Sequence, residues 1–379
     1  DDAVVAERLV AMGICRSQTT DHGAVAGLRA RLSPEQLRLN SLYLHVTFSC
    51  QLRCTHCYAR AEGDGQAMPV DALTGLLVQA EACGFRQVVL TGGEPLVHPD
   101  RHALLAALRD LRAGRPSTDL VLRTNLAVAL SEDDLRSVAE AVDQVVVSVD
   151  GDEALHDARR GPGAYAAVVA NLERYAQVAS ETARAGELSL AGVLRSADIR
   201  GEPGDAVRAL AARLGVRRTR FRPLLPLGRA ADWDEPPTSE ALGSYADPMN
   251  LIEGGFHPVS HCGLGQNLYV EPSGESFPCY AFHGPYSYLG NVIQGGLAAV
   301  LASEPFRDLA RHSVDTNPTC RVCEVRYLCG GACRAWGGEA TQCDLDAPPP
   351  ECAGLRGRAE SLLAAARGYL GLGGKGSSC

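Results

Sequence analysis

Six short apolar runs alternate with amphipathic stretches between residues 42 and about 228, and this alternation restricts the fold more than any other feature. Strands that alternate with helices form parallel sheets, so the pattern predicts an α/β fold of six β/α units, open or partly closed into a barrel. In such folds the site lies at the carboxyl ends of the strands. The predicted strands are Leu42–Phe48, Gln87–Thr91, Asp119–Thr124, Gln144–Val149, Leu188–Leu194 and Thr219–Leu225, and helical patterns lie near 70–83, 100–113, 132–141, 163–179 and 203–214.

The remaining segments differ in composition and predict a division of the chain into five parts. Because a region rich in Cys, Gly and Pro buries little apolar surface, we expect bound metal to stabilise the part that begins at residue 262. The predicted parts are a helical extension at 1–40, the barrel at 41–230, a proline-punctuated connection at 231–261, a small cysteine-rich domain at 262–352, and a helix with a flexible tail at 353–379.

Composition excludes several classes of function. A net charge of −9 argues against nucleic acid as the main partner. No apolar run is long enough to span a bilayer, and the first residues do not resemble a signal peptide. Without an export signal, 14 cysteines favour metal binding over disulfides. We therefore expect a cytoplasmic metalloprotein.

Cys50, Cys54 and Cys57 have the spacing C-x3-C-x2-C directly after the first predicted strand. Three thiolates on a four-iron cluster leave one iron open to substrate. The alternatives are a chance spacing or a partial zinc site, but zinc normally takes four ligands, and no fourth cysteine or obvious histidine is close in the sequence.

This loop resembles the signature of the radical S-adenosylmethionine (SAM) superfamily, C-x3-C-x-Φ-C, with His56 at the Φ position. The stretch Gly92–Pro95 after the second strand resembles the family's GGEP motif. The resemblance implies that His56 packs near the SAM adenine and that Gly92–Pro95 bind the SAM amino group. It also implies that a reduced [4Fe–4S] cluster cleaves SAM to a 5′-deoxyadenosyl radical, which abstracts hydrogen. The expected cofactor-binding residues are His56, Gly92, Gly93, Glu94, Pro95, Asn125, Ser148, Asp150, Arg160 and Arg195.

For the polar residues at the ends of the later strands, surface or helix-capping roles are the alternative.

A second group of cysteines resembles the SPASM domain, which carries two auxiliary iron–sulfur clusters. A pair of structural zinc sites is the alternative. By resemblance, the distal cluster is bound by Cys320, Cys323, Cys329 and Cys352, and the proximal cluster by Cys262, Cys279 and Cys333. The fourth proximal position is open, or is taken by Cys343, His261 or substrate.

The SPASM resemblance implies a reaction on a peptide or protein. In the anaerobic sulfatase-maturing branch an Asp that follows the cysteine of G-x4-C acts as base, and here Tyr280 stands there. With a usual pKa near ~10, Tyr280 is a poor base, although it could relay a proton or pack.

The leading hypothesis is a maturase of a ribosomally made (RiPP) precursor peptide that forms a crosslink or oxidises a side chain. A flavodoxin or ferredoxin would act as reductase. Because residues 1–40 are too short for a complete winged-helix recognition domain, a separate peptide-recognition protein is a further candidate partner.

The alternative substrates are small molecules or tetrapyrroles, acted on by a dehydrogenase or decarboxylase. A non-enzymatic electron carrier would leave Gly92–Pro95 without a role. SAM cleavage separates an enzyme from a carrier, and a neighbouring precursor-peptide gene separates peptide from small-molecule substrates.

Overall fold

The structure is a computed structural model that describes residues 39–63, 65–114, 116–199, 201–234, 262–331, 345–346 and a few positions from 352 to 360. The chain forms two compact units. The larger unit comprises 38–241 and 265–309, and the smaller comprises 1–37, 242–264 and 310–379. The predicted N-terminal helical pieces, nearly all of the connection at 231–261 and most of the predicted C-terminal helix lie outside the described residues.

The larger unit is built on one sheet with the strand order β6-β5-β4-β3-β2-β1-β7-β8-β9. Neighbours from β6 to β7 run parallel, whereas β8 and β9 are antiparallel additions. This confirms the α/β class and the parallel order of the six predicted strands. The strands are β1 Ser41–Thr47, β2 Gln87–Gly92, β3 Asp119–Thr124, β4 Gln144–Ser148, β5 Glu187–Leu194, β6 Arg218–Pro223, β7 Asn267–Val270, β8 Glu275–Phe277 and β9 Gly290–Asn291.

Among the described residues, the five helices predicted between 70 and 214 are present, together with six shorter ones. The added helix at 153–160, EALHDARR, was missed because it is short and has few apolar residues, although the Asp152 side chain caps it by accepting from the Leu155 N–H at 2.9 Å. No helix among the described residues is long and apolar enough to cross a membrane. The helices are α1 Val70–Cys83, α2 Arg101–Ala113, α3 Glu132–Ala141, α4 Glu153–Arg160, α5 Ala164–Glu181, α6 Ser196–Ile199, α7 Glu202–Arg213, α8 Val292–Gly295, α9 Leu297–Ala302, α10 Glu304–Arg311 and α11 Arg326–Cys329.

The two faces of the parallel sheet differ in what covers them. On one face Val89, Val121 and Val146 form an apolar cluster, against which Tyr43 and Ala191 pack. We call this the inner face. Gly192, which follows Ala191 in β5, pairs with Phe221 of β6. Both lie on the opposite face of the sheet, where α7 packs. Arg208 of α7 lies over the Phe221 ring there at 5.0 Å.

One buried arginine, Arg112, ties the ends of several elements together below the sheet. Its Nε donates to Asp143 at 2.8 Å. Its Nη1 donates to the backbone carbonyls of Ala139, Glu140 and Arg184 at 3.3, 3.0 and 2.7 Å. One side chain therefore satisfies carbonyls in the last turn of α3 and after α5, groups that cost free energy when buried and unpaired.

We expect Arg112→Met to lower the free energy of unfolding by about 3 kcal/mol, because it removes one partner of an ion pair and leaves buried acceptors unpaired. Urea titration of the metal-free, reduced protein, followed by circular dichroism, measures this loss. Arg109→Met is the matched control on the same helix. Arg109 is about half exposed, and its pair with Glu140 is long at 3.8 Å, so the loss should stay below about 1 kcal/mol. Equal losses in the two variants would contradict the assigned role of Arg112.

Candidate active site

The loop that carries Cys50, Cys54 and Cys57 follows β1, and contacts from distant parts of the chain hold its backbone. The Cys50 N–H donates to the Gly63 carbonyl at 3.3 Å. Arg229 Nε donates to the Cys54 carbonyl at 2.8 Å, and the Arg229 N–H donates to the Cys57 carbonyl at 3.0 Å. The three cysteines are therefore presented on a loop with a defined backbone.

Sequence reasoning missed Arg229, and also Trp233, whose Nε1 donates to the Thr55 carbonyl at 2.9 Å. Both follow β6 and lie more than 170 residues from the loop in sequence. No local pattern reports such a contact. The only available signal was an Arg after a Pro and a Gly at the end of the last predicted strand, in the stretch 226–229.

The three cysteines are free and half-buried. Burial raises the pKa of the Cys50 thiol to about 12, and burial also raises the pKa of the Cys54 thiol. Without metal these groups stay protonated at neutral pH, and binding of iron must displace their protons. In the described residues no three metal-ligating side chains converge as around a single ion.

The GGEP stretch lies against the backbone that leads into the cysteine loop. The Gly93 N–H donates to the Thr47 carbonyl at 2.8 Å, and the Glu94 N–H donates to the Ser49 carbonyl at 2.9 Å. A Cβ at Gly93 would overlap the Ser49 carbonyl, and one at Gly92, where φ is 140°, would overlap the Thr47 carbonyl. The two glycines are therefore required for the close approach of β2 to β1.

The Glu94 side chain is fully buried and joins the ends of β2 and β3. Its carboxylate accepts from Thr124 Oγ1 at 2.7 Å, from the Asn125 N–H at 2.6 Å and from the Leu96 N–H at 3.0 Å. Burial raises the pKa of Glu94 to about 7, against these donors. Glu94 is thus a buried link between the two strand ends, and its part in binding SAM stays a prediction.

Asn125 lies directly beside the first cysteine. Its Nδ2 is 3.7 Å from Cys50 Sγ, and its Oδ1 accepts from Gln51 Nε2 at 2.7 Å.

Asp150, at the end of β4, is the centre of a buried charged group. Its Oδ2 accepts from Arg160 Nε at 2.6 Å and lies 3.3 Å from His56 Nε2, while its Oδ1 accepts from the Val193 N–H at 2.8 Å. Burial opposes ionisation of Asp150, but Arg160 and then His56 hold its pKa well below the usual value. The structure thus brings three of the predicted site residues into one cluster.

His56 lies beside Asp150, and its predicted position near the SAM adenine stays a prediction. Its Nε2 faces Asp150, whereas its buried Nδ1 has no hydrogen-bond partner among the described groups. Ser148 is half-buried at the end of β4. Arg195 is exposed and lies over the Trp233 ring at 5.7 Å.

Tyr280 faces the cysteine loop from the β8 side of the sheet. Its ring lies 5.0 Å from that of Tyr58, which directly follows Cys57. The Tyr58 hydroxyl is 2.9 Å from His45 Nε2, and the Tyr269 hydroxyl is 3.2 Å from His45 Nδ1. Burial lowers the pKa of His45 to about 3. A neutral histidine therefore links two tyrosines beside the third cysteine.

Comparison with known proteins agrees with this geometry. The Radical SAM superfamily profile matches residues 44–184, and the profile of the SPASM iron–sulfur cluster-binding domain matches residues 262–324. The chain is a radical SAM enzyme with a SPASM domain.

One curated relative is the PqqA peptide cyclase of Methylobacterium sp., which is 27% identical over 328 residues and covers 80% of this chain and 84% of its own. Two solved structures share the fold. The structure of anSMEcpe with bound AdoMet has a TM-score of 0.62 at 18% identity and covers 87% of this chain and 99% of its own. Streptococcus suis SuiB bound to S-adenosylmethionine has a TM-score of 0.60 at 17% identity and covers 83% of this chain and 78% of its own.

The residues around the cysteine loop fit the cofactors of the radical SAM family. Three thiols on one anchored loop suit a cluster with one open iron. The buried His56 Nδ1 close to this loop lacks a hydrogen-bond partner among the described groups, as expected where a bound ligand completes a site. Bound here, the cluster and SAM supply hydrogen-atom abstraction.

In the SPASM domain, which binds auxiliary iron–sulfur clusters, the smaller unit carries Cys320, Cys323, Cys329, Cys352 and Cys262. Cys320 is buried, and its N–H donates to Asn317 Oδ1 at 2.9 Å. The Cys323 N–H donates to the Cys320 carbonyl at 2.8 Å.

The remaining predicted ligands are Cys279, Cys333 and Cys343. Cys279 belongs to the larger unit, where it pairs with Phe282 in an isolated bridge. Cys333 and Cys343 lie outside the described residues. The division of these cysteines between two clusters, and the fourth proximal ligand, stay predictions.

We expect Gly93→Ala to prevent assembly of the first cluster, because the added Cβ displaces the Ser49 carbonyl next to Cys50. After anaerobic reconstitution the variant should lose about four iron atoms per chain relative to the wild type, while the auxiliary clusters remain. Gly75→Ala, in α1, is the control. Its Cβ meets nothing within 4 Å, so iron content should not change and stability should rise by up to about 1 kcal/mol. Full iron loading of Gly93→Ala would contradict the required close approach.

The lowered pKa of His45 predicts an acid-sensitive fold. In the unfolded chain the pKa of His45 is near its usual value of 6.5, but in the folded protein it is about 3. The contribution of His45 to stability is therefore complete above about pH 6.5 and is lost as the pH falls toward 3, at about 1.4 kcal/mol per pH unit. Between about pH 6 and pH 4.5, the free energy of unfolding of the metal-free protein should depend less steeply on pH in His45→Gln than in the wild type, by about that amount. Identical slopes in wild type and His45→Gln would rule out the effect.

Proposed function

We propose that this enzyme matures a ribosomally made peptide by abstracting a hydrogen atom from one of its residues. The product would be a crosslinked or oxidised side chain. The supporting observation is that a PqqA peptide cyclase aligns over 80% of the chain and 84% of its own length, across both the radical SAM and SPASM domains. The shared fold is compatible with a peptide, since SuiB has been solved with precursor peptide SuiA and anSMEcpe with the Cp18Cys peptide.

The residues of the chain itself would hold and orient the reactants. The backbone at Gly92–Pro95 and the buried group of Asp150, Arg160 and His56 would border the SAM position, and Ser148, Arg160 or Arg195 would hold the SAM carboxylate or ribose. The rings of Tyr58 and Tyr280 lie 5.0 Å apart beside the third cysteine, where both are partly exposed. Tyr280 occupies the position where the sulfatase-maturing branch has an Asp base. We therefore propose that it packs against the substrate or relays a proton.

The electron and proton balance requires further partners. Loss of one hydrogen atom from a peptide leaves a radical, and formation of a new bond then releases one electron and one proton. The auxiliary clusters of the SPASM domain would accept the electron. A flavodoxin or ferredoxin would reduce the first cluster, and a separate peptide-recognition protein would present the precursor. Low-potential clusters of this kind suit a reducing compartment, so we propose that the enzyme acts in the cytoplasm.

Coexpression with each short peptide encoded beside the gene tests the proposal. We expect one peptide to lose two hydrogen atoms, detected by mass spectrometry, together with formation of 5′-deoxyadenosine. The control is the triple variant Cys50→Ala, Cys54→Ala and Cys57→Ala, which should form neither product while its auxiliary-cluster absorption persists. Continued SAM cleavage by the triple variant would contradict the assigned cluster site. An unmodified peptide, with SAM cleavage stimulated by a small molecule instead, would contradict the peptide substrate.

A further inference from the structure

A group of arginines lies on the inner face of the sheet, apart from the SAM-bordering residues. In parallel strands, residues paired in register share a face. Arg220 pairs with Ala191, which packs on the inner apolar cluster, and Arg123 pairs with Val146 of that cluster. Arg222, two residues after Arg220, is on the same face.

Two of these arginines have no anionic partner in the part of the chain that the structure describes. The Nε of Arg123 is buried without a hydrogen-bond partner, and its guanidinium lies over the Tyr43 ring at 5.4 Å. Arg220 makes no ion pair with a described carboxylate, whereas Arg218, on the same strand and face, pairs with Glu187 at 3.4 Å. A buried donor without a partner costs about 1–3 kcal/mol, so this arrangement requires a reason.

The charges of the group repel one another. Arg220 remains open to solvent, yet the surrounding protein, and then the charges of Arg222, Arg123 and Arg218, lower its pKa. The whole chain carries a net charge of −9, so the inner face concentrates positive charge within an acidic protein. Such an arrangement is favourable once an anion enters between the guanidinium groups.

We propose that Arg123 and Arg220 bind a carboxylate of the substrate peptide, either an Asp or Glu side chain or the C-terminal carboxylate, and so position the residue that is modified. This proposal rests on the proposed peptide substrate and specifies that the peptide carries a carboxylate at the position that is bound. Guanidinium groups bind carboxylates through two parallel hydrogen bonds, which fix orientation as well as position.

The position of Arg123 connects this group to the reaction site. Arg123 directly precedes Thr124 and Asn125 at the end of β3, and Asn125 Nδ2 is 3.7 Å from Cys50 Sγ. A carboxylate held by Arg123 is therefore at the inner side of the strand end that borders the cluster loop. The carboxylate of SAM is the other anion that these arginines could bind, and the experiment below separates the two ligands.

Calorimetric titration of the cluster-loaded enzyme with SAM bound tests the proposal. The probes are N-acetylglutamate N-methylamide and its neutral glutamine analogue. We expect the wild type to bind the acidic probe at least about tenfold more tightly, as a charge-assisted pair implies. Arg123→Gln and Arg220→Gln should abolish this preference, Arg220→Lys should retain part of it, and Arg218→Gln should retain it in full because Glu187 already neutralises Arg218.

Each outcome decides the assignment. No preference in the wild type, or an undiminished preference in both Gln variants, overturns the site. A weaker affinity for SAM in Arg123→Gln and Arg220→Gln, measured without probe, would assign the arginines to the SAM carboxylate instead. The binding measurement does not depend on turnover, so failure to modify any peptide would refute the proposed function and leave this result standing. An iron content and a circular dichroism spectrum equal to those of the wild type show that the Gln variants remain folded and loaded.

Discussion

The arrangement of the site depends on a backbone contact between the ends of two adjacent strands. Gly93 and Glu94 donate to the carbonyls of Thr47 and Ser49, immediately before Cys50. No side chain can be placed between these strands, so the first cysteine and the GGEP backbone have a fixed separation. The buried Glu94 then extends the same contact to the end of β3, through Thr124 and the Asn125 N–H. Three strand ends are thereby locked together at the edge where the cysteine loop begins.

Much of this fold could be predicted because its signals are local. The apolar runs located the six predicted strands to within one or two residues. The contact of Gly92 and Gly93 with β1 was not predicted, because the resemblance assigned these glycines to SAM. Helix α4 was missed because it is short and has few apolar residues, although its last residue, Arg160, contributes to the site. Arg229 and Trp233 were missed because their contacts join segments far apart in sequence.

The roles of individual polar residues were the least predictable feature, since they depend on which groups face each other. His56 was expected near the SAM adenine by resemblance, and the structure places its Nε2 against Asp150. Arg160 is neutralised by Asp150 at 2.6 Å, whereas Arg123 and Arg220 face each other's charge. Arg160 ends helix α4, whereas Arg123 and Arg220 lie within strands, and nothing in the sequence around them reports these partners. Only the folded structure distinguishes an arginine that is paired with a carboxylate of the protein from one that lacks a counterion.

The hydrogen bonds that Arg229 and Trp233 donate to the cysteine loop have a consequence for the order in which the enzyme folds during synthesis. These residues follow β6, so the loop reaches its final backbone geometry only after the segment beyond β6 has been synthesised and has folded back onto it. A fragment of the chain that ends before residue 229 would contain all three cysteines of the loop but none of these contacts.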